Sequence, residues 1–367
     1  MSVDQTIIRP ATTEEEKREI WRLYYDIYIK EHGYTPNADH ENQILLDDLD
    51  STASHYAVKD CSGALIGTYR VNRFCDLSDP IKQLSPLPVT ELLERAPAEA
   101  LTYTSRVMVR KEWRGSTLLA KMAIHFASDL IDLGIRFDSC LSLPHLVAFY
   151  EQLGYQRYGQ RVMQAGAGLE FPMTMSIQNK QHFLRVRSPL SRSRKVQACE
   201  DNWEDGQWLK ELAKPWGYNH RLMKTKEFWD ATGMALLFPE GNRGLFSGLS
   251  IEEARRVLKP SPILEVKAGD QIVYSGLHQE NLFVVIQGEF RLQRTQGDCS
   301  TPPRLLQSGT HFGSREFINP GLSHEDITAT TDGKILLLDQ VFLRKARTNH
   351  PRETEVLLSN IERSACV

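Results

Sequence analysis

The 367-residue chain has no C-x-x-C pair. Its six cysteines, Cys61, Cys75, Cys140, Cys199, Cys299 and Cys366, are scattered. This argues against a zinc framework or a disulfide scaffold and fits reduced, structural thiols in a cytoplasmic protein. No apolar run approaches the ~20 residues that a membrane span needs. The first residues, Met1-Ser2-Val3-Asp4-Gln5, lack a basic stretch followed by an apolar one, so no secretory leader is expected. An excess of one charge is missing too. With 44 Lys+Arg against 47 Asp+Glu, the net charge of -3 gives no reason to expect nucleic acid or a membrane surface as the main partner. His32, His40, His55, His125 and His182 show no ligand spacing, so no metal is expected. No Ser/His/Asp or Cys/His nucleophile arrangement appears.

What is present is ordinary in bulk, 41% hydrophobic and 25% charged, and long enough for two domains. Up to about residue 180 the pattern alternates helix and strand. Thr12 or Thr13 caps a helix whose first turn is acidic (Glu14, Glu15, Glu16) and whose apolar face runs through Ile20, Leu23, Tyr24 and Ile27. Residues 55–58, 65–72 and 101–109 read as strands, with a hairpin at Asp60-Cys61-Ser62-Gly63. Residues 118–133 read as a helix closed by Gly134, 135–142 as a strand, and 145–153 as a helix ending at Gly154. A mixed sheet flanked by helices follows.

Residues 184–196 carry Arg185, Arg187, Arg192, Arg194 and Lys195 among serines. They read as a linker, or as a surface for an acidic carrier protein. Residues 197–243 hold Trp203, Trp208, Trp216 and Trp229, a density that requires burial, either as a bracket between domains or as the lining of an acyl pocket. From Gly244 a helix capped by Ser250 precedes short strands with regular glycine turns. This is the pattern of a β-barrel or jelly roll, and helices over 341–350 and 353–361 follow. The expected organisation is α+β, with a first domain over 1–183, a basic, Trp-rich helical linker over 184–243, and a β-barrel domain over 244–367.

The segment Val107-Met108-Val109-Arg110-Lys111-Glu112-Trp113-Arg114-Gly115-Ser116-Thr117-Leu118-Leu119 is the most informative. A strand turns directly into a helix N-terminus, where unpaired N–H groups and the helix dipole favour a pyrophosphate, and the strand offers its edge to an extended pantetheine arm. Around it, the 23–31 helix, Leu46-Asp47-Asp48-Leu49-Asp50, Gly67-Thr68-Tyr69-Arg70-Val71, Tyr103-Thr104-Ser105-Arg106 and Ala148-Phe149-Tyr150-Glu151-Gln152-Leu153-Gly154-Tyr155 together resemble the GNAT acyltransferase superfamily. Within it they resemble the branch of N-acyl amino acid synthases and autoinducer synthases. The resemblance covers about 175 residues. The phosphate turn departs from the family, with Thr117 and Leu119 at positions the superfamily fills with small residues, and Tyr103 stands where the branch has Glu. The departure at the turn narrows the approach of the backbone to a pyrophosphate, which leaves an acyl carrier protein open as the donor alongside coenzyme A.

The resemblance implies N-acyl transfer from an acyl thioester to the amino group of a small acceptor such as an amino acid. It implies Tyr150 as the acid that protonates the leaving thiolate, with Tyr103, Arg106 and His145 as further catalytic candidates. Val107, Met108, Val109, Arg114, Gly115, Ser116, Thr117 and Leu118 would hold the donor. Asp47, Asp50 and Arg70, with Arg106, either orient the acceptor or tie the first helices to the sheet as ion pairs. A homodimer is compatible with this reading. The C-terminal part resembles the cyclic nucleotide-binding domain through Leu245-Phe246-Ser247-Gly248-Leu249-Ser250, the glycine turns and His311-Phe312-Gly313. Ser314 and Ser323 fall where nucleotide-binding members place Glu and Arg, so the resemblance implies a docking or dimerisation module without nucleotide. The alternative reading is a ligand- or cyclic-nucleotide-sensing protein with a non-catalytic GNAT scaffold.

Overall fold

The computed structural model describes residues 3–34, 37–85, 87–164, 168–217, 219–237, 244–296, 299–300 and 302–365. The chain divides into two compact units. The first comprises residues 1–142, 149–162 and 171–216; the second comprises 143–148, 163–170 and 217–367.

The first unit is organised by a mixed sheet. β1 (Ile7–Pro10), β2 (Ser54–Lys59), β3 (Leu65–Arg73) and β4 (Leu101–Val109) follow one another antiparallel, and β5 (Phe137–Ser142) joins β4 in parallel. The Gly168–Ser176 strand then pairs antiparallel with β5. α1 (Glu14–Tyr25) starts where Thr13 accepts a hydrogen bond from the Glu16 N–H, and its three leading glutamates favour the positive end of the helix dipole. It continues as a π-helical turn over Asp26–Glu31. Ile20, Leu23 and Tyr24 of α1 pack with Ala57, Leu65 and Met108 on one face of the sheet. On the opposite face the Leu118–Asp132 helix brings Phe126 edge-on against Tyr69 of β3.

The stretch expected to be a linker is folded, and it is divided between the two units. Arg187 closes the Lys180–Val186 helix in a left-handed conformation. Ser188 and Ser193 cap the next two short helices, and Val186, Leu190 and Val196 are buried between the exposed basic residues. Each of these apolar residues lies in a different short helix, and the charge run around them hid their burial. The Trp203–Ala213 helix belongs to the first unit, where Trp208 and Trp216 pack against the core of Phe74, Leu92, Leu101, Phe137 and Leu209. Trp229 is buried in the second unit, whereas Trp203 is 62% exposed, contrary to the burial expected of the whole cluster.

In the second unit a four-stranded antiparallel sheet runs in the order His311–Phe312, Leu282–Gln287, Gly333–Leu338, Ile263–Val266. A second sheet is built on Gln271–Val273, Glu325–Ala329 and Phe290–Gln296. Alternation along Leu282–Gln287 sends Leu282 and Val284 to Phe228, Trp229, Leu357 and Ile361 of the flanking helices, while Phe283 stacks on Phe312, which meets Phe290 of the other sheet. Ser250 forms the expected cap, a reciprocal capping box with Glu253.

Asp205 fastens the Trp203–Ala213 helix to the first unit. It is 1% exposed and accepts from Arg95 Nε (3.0 Å), from Arg136 Nε (2.9 Å) and Nη2 (2.6 Å), and from Asn202 Nδ2 (2.8 Å). Replacing Asp205 by Ala strands two guanidinium groups and is expected to cost about 2–4 kcal/mol in the unfolding of this unit. Urea denaturation checks it; an unchanged midpoint would show that the carboxylate does not hold the helix.

Candidate active site

The site is built around one irregularity in β4. Arg70 of β3 lies opposite Ser105 and Thr68 opposite Met108, so two residues, Arg106 and Val107, face Tyr69 alone. Arg106 takes up the extra residue with φ +54, a left-handed conformation uncommon for a side chain of this size. Regular alternation would point Ser105 and Arg106 to opposite faces. The bulge lets both serve the same face, the one covered by α1, while Thr104 and Val107 line a pocket on the other.

On the α1 face the four polar residues expected to act together are in contact. Arg70 is 2% exposed. It donates Nη1 to Asp47 Oδ1 (2.5 Å) and Nε to Ser105 Oγ (2.9 Å). Its Nη1 also lies 2.9 Å from Asp50 Oδ1, an ion pair outside hydrogen-bond directions. Arg106 Nη2 donates to the second Asp47 oxygen (2.8 Å), and its guanidinium sits over the rings of Tyr28 (4.7 Å) and Tyr24 (5.4 Å). Asp47 and Asp50 are held by the chain itself: Asp47 caps a short helical turn and Asp50 returns a carboxylate oxygen to the Asp47 N–H. Burial works against the charge of Asp47, but Arg70 and then Arg106 outweigh it and hold its carboxyl at about 2. Beneath this group His55 Nδ1 meets the Tyr24 hydroxyl (3.2 Å), and burial lowers the His55 pKa against the pull of Asp50. Tyr103, also on β4, packs with Phe74, Leu77 and Tyr158.

On the other face an apolar pocket of about 430 Å³, counted with its part open to solvent, is lined by Val107, Met122, Phe126, Phe149, Tyr150 and Tyr155 among others. Tyr150 is buried and stands edge-on to both Phe149 and Tyr155. Desolvation raises its hydroxyl well above the usual tyrosine range, so it stays protonated at neutral pH. None of the tryptophans proposed as an acyl lining is among the pocket residues. The parallel β4–β5 ladder runs through Leu101↔Phe137 and Thr102↔Asp138 and ends at Tyr103↔Ser139, which leaves the far half of β4 without a ladder partner on that side.

Past β4, Gly115 turns the chain with φ +77, and Thr117 stands as N-cap of the Leu118–Asp132 helix without a side-chain cap. Ser116 Oγ accepts from the Leu118 N–H (3.2 Å), which leaves the Leu119 and Ala120 N–H groups at the helix end. Arg114 is not free. It donates Nε to the Val109 carbonyl (3.0 Å) and both terminal nitrogens to Glu31, Nη2 at 2.9 Å. His145 lies in the Leu143–Ala148 segment, which clusters with the second unit.

The residue that sequence reasoning missed is Asp138. It is 0% exposed, on β5. It accepts from Thr102 Oγ1 (2.7 Å), from Thr104 Oγ1 (2.8 Å) and from the hydroxyl of Tyr155, itself a pocket residue. Burial raises its carboxyl to about 7, against the three hydroxyl donors. The available signal was a carboxylate between Phe137 and Cys140 in an apolar strand, beside Thr102 and Thr104 two residues apart. Among the described residues no group of three or more His, Cys, Asp or Glu stands close enough to hold a metal ion, and no helix is long and apolar enough to cross a membrane.

Residues 23–123 match the acetyltransferase (GNAT) domain family, and residues 263–350 match the cyclic nucleotide-binding domain family. The first unit contains this GNAT-type domain, over residues 23–123. No protein of curated function matches the chain. Among solved structures it is similar to a coenzyme A-dependent acyl-homoserine lactone synthase, BjaI (16% identity, 50% of this chain and 90% of that one, TM-score 0.41). It is similar as well to a putative N-acetyltransferase from Lactobacillus plantarum (14%, 47% and 98%, 0.36). A cyclic nucleotide-binding domain from Methylobacillus flagellatus is a third match (15%, 39% and 78%, 0.33). In the cyclic nucleotide-binding domain of this chain, Ser314 and Ser323 are buried, with Ser323 Oγ turned to Glu325. Arg315 and His324, one residue along, are exposed.

Asp138 yields a test by pH. Its folded value of about 7 lies above the ~3.9 of an unfolded Asp, so its contribution to stability is complete below ~4 and is lost as pH rises through about 7. Asp138→Asn removes that dependence, and its stability relative to wild type is expected to improve between pH 5 and pH 8. Denaturation midpoints at the two pH values check this; a constant difference would mean that the carboxyl does not titrate there.

Proposed function

We propose that this protein is an N-acyltransferase that moves an acyl group from a thioester, on coenzyme A or an acyl carrier protein, to the amino group of a small acceptor such as an amino acid. The observation that carries the reading is the two-sided character of β4 at its bulge. A polar, charge-balanced group stands on one face and an apolar pocket lined in part by Tyr150 on the other. An acyl chain fits the apolar side. The acceptor would meet the Asp47 side, where 37% of that side chain is exposed while Arg70 and Asp50 are covered. The unladdered edge of β4 would take the pantetheine arm and present an N–H to the oxyanion.

In this reading the amine nitrogen attacks the thioester carbon, the C–N bond forms and the C–S bond breaks. The departing sulfur takes the Tyr150 proton, and the proton shed by the new amide returns to the phenolate through water. The first experiment incubates the purified protein with acyl-coenzyme A and acyl-carrier-protein panels plus pooled amino acids and amines, and reads new amides by mass spectrometry. Tyr150→Phe is expected to lower turnover by about 100-fold or more with donor affinity little changed. No amide from any donor, together with no donor binding, would overturn the assignment; full turnover in the variant would remove Tyr150 from the chemistry.

The C-terminal domain is proposed as a docking or dimerisation module. A Ser hydroxyl turned onto the backbone offers no charge-assisted grip to a cyclic phosphate. Cyclic AMP at millimolar concentration is expected to leave the melting temperature unchanged; a saturable rise would favour the nucleotide-sensing alternative.

A further inference from the structure

The phosphate-side turn offers few free charges. Arg110 Nε is given to the Leu65 carbonyl (2.8 Å), and Lys121 Nζ to the carbonyls of Val3 (3.0 Å) and Thr6 (2.8 Å). Arg114, at the head of the turn, is engaged on both sides: its Nε by the Val109 carbonyl and its two terminal nitrogens by the Glu31 carboxylate. Glu31 is 83 residues away in sequence. It stands at the end of the π-helical turn Asp26–Glu31 that continues α1, a rare conformation that is frequent at functional sites. The same turn carries Tyr28, the ring beneath Arg106. Both members of the Glu31–Arg114 pair are partly exposed, with side chains 27% and 36% accessible, so an incoming anion can reach them.

We propose that Glu31 is a donor-specificity residue: its carboxylate occupies Arg114 in the free protein, and a phosphate-bearing donor reaches that guanidinium only by displacing it. The inference rests on the acyl-thioester reading above and deepens it. A carboxylate and a phosphate compete for the same planar fork, which makes two parallel bonds to either. The pair therefore sets a threshold that every phosphate-bearing donor must overcome. It penalises binding that relies on phosphate charge and leaves binding through the pantetheine arm and the apolar pocket untouched.

The test is calorimetric binding of coenzyme A and of phosphate-free pantetheine to the full-length protein, to Glu31→Gln, and to the double variant Glu31→Gln/Arg114→Gln, with melting temperatures recorded for each. Gln keeps the shape of the side chain and removes its charge. Glu31→Gln is expected to bind coenzyme A about 3- to 10-fold more tightly, with pantetheine unchanged. The gain should shrink at 0.5 M salt and vanish in the double variant. Equal or weaker coenzyme A binding by a folded Glu31→Gln overturns the role of Glu31. If that result is accompanied by amide formation in the donor panels, acyl transfer stands and the Glu31 role alone falls. If it comes with no product and no binding of any donor, the acyl-transfer reading falls with it.

Discussion

At Arg106 the backbone of β4 enters a left-handed conformation that costs of order 1–3 kcal/mol for a residue with a side chain. The contact of Arg106 with Asp47 on the α1 face depends on that single conformation. The conformation persists because Arg106 is over-determined: its guanidinium is bound to Asp47 and layered over two tyrosines. Without the bulge its side chain would fall on the pocket face, among Thr104, Phe126 and Tyr150, where an unpaired cation has no place. The bulge also returns Val107 to the pocket and Met108 to the α1 core, so one extra residue resets the pattern for the rest of the strand.

The charged group on the α1 face is balanced, two arginines against two aspartates, and it is supported from below. Asp47 and Asp50 cap their own turn, so their carboxylates are fixed by local chain geometry before Arg70 arrives from the sheet. Two roles follow from one arrangement. The covered pair, Arg70 and Asp50, has the burial of a structural tie. Asp47, sharing its two oxygens between the arginines and still partly open, has the exposure that contact with a small polar molecule requires. Pairing holds its carboxylate ionised far below neutral pH, so it meets an acceptor as an anion.

Much of the architecture was legible because it rests on local rules. Thr13 and Ser250 cap the helices they were expected to cap, and β4 spans 101–109 as its apolar run indicated. The Asp47, Asp50, Arg70 and Arg106 cluster was legible as a set of candidates, but not the bulge that unites it, because no residue type announces a left-handed arginine. The π-helical turn was hidden for the same reason: Asp26–Glu31 has ordinary helical composition, and its irregularity shows only in hydrogen bonds. Glu31 and Arg114, and Asp138 with Thr102, Thr104 and Tyr155, meet only through tertiary structure. At 184–196 exposed arginines masked a buried Val186, Leu190 and Val196.

The C-terminal domain shows why a motif must be separated from its polar partners before it is read as a binding site. Gly313 has φ +77, and a Cβ there would stand 2.4 Å from the Asn281 carbonyl oxygen. That is sufficient reason for a glycine whether or not a nucleotide binds. Phe312 likewise has its place in the core, stacked on Phe283 and facing Phe290. The Phe-Gly step therefore reports the sandwich and says nothing of a ligand. The informative positions are those where the fold leaves the choice of side chain open. At Ser323 the hydroxyl accepts from the Glu325 N–H and lies 3.2 Å from the Glu325 carbonyl, closing a turn instead of reaching outward. A sandwich held by its aromatic core in this way keeps its shape whichever residues stand at those positions.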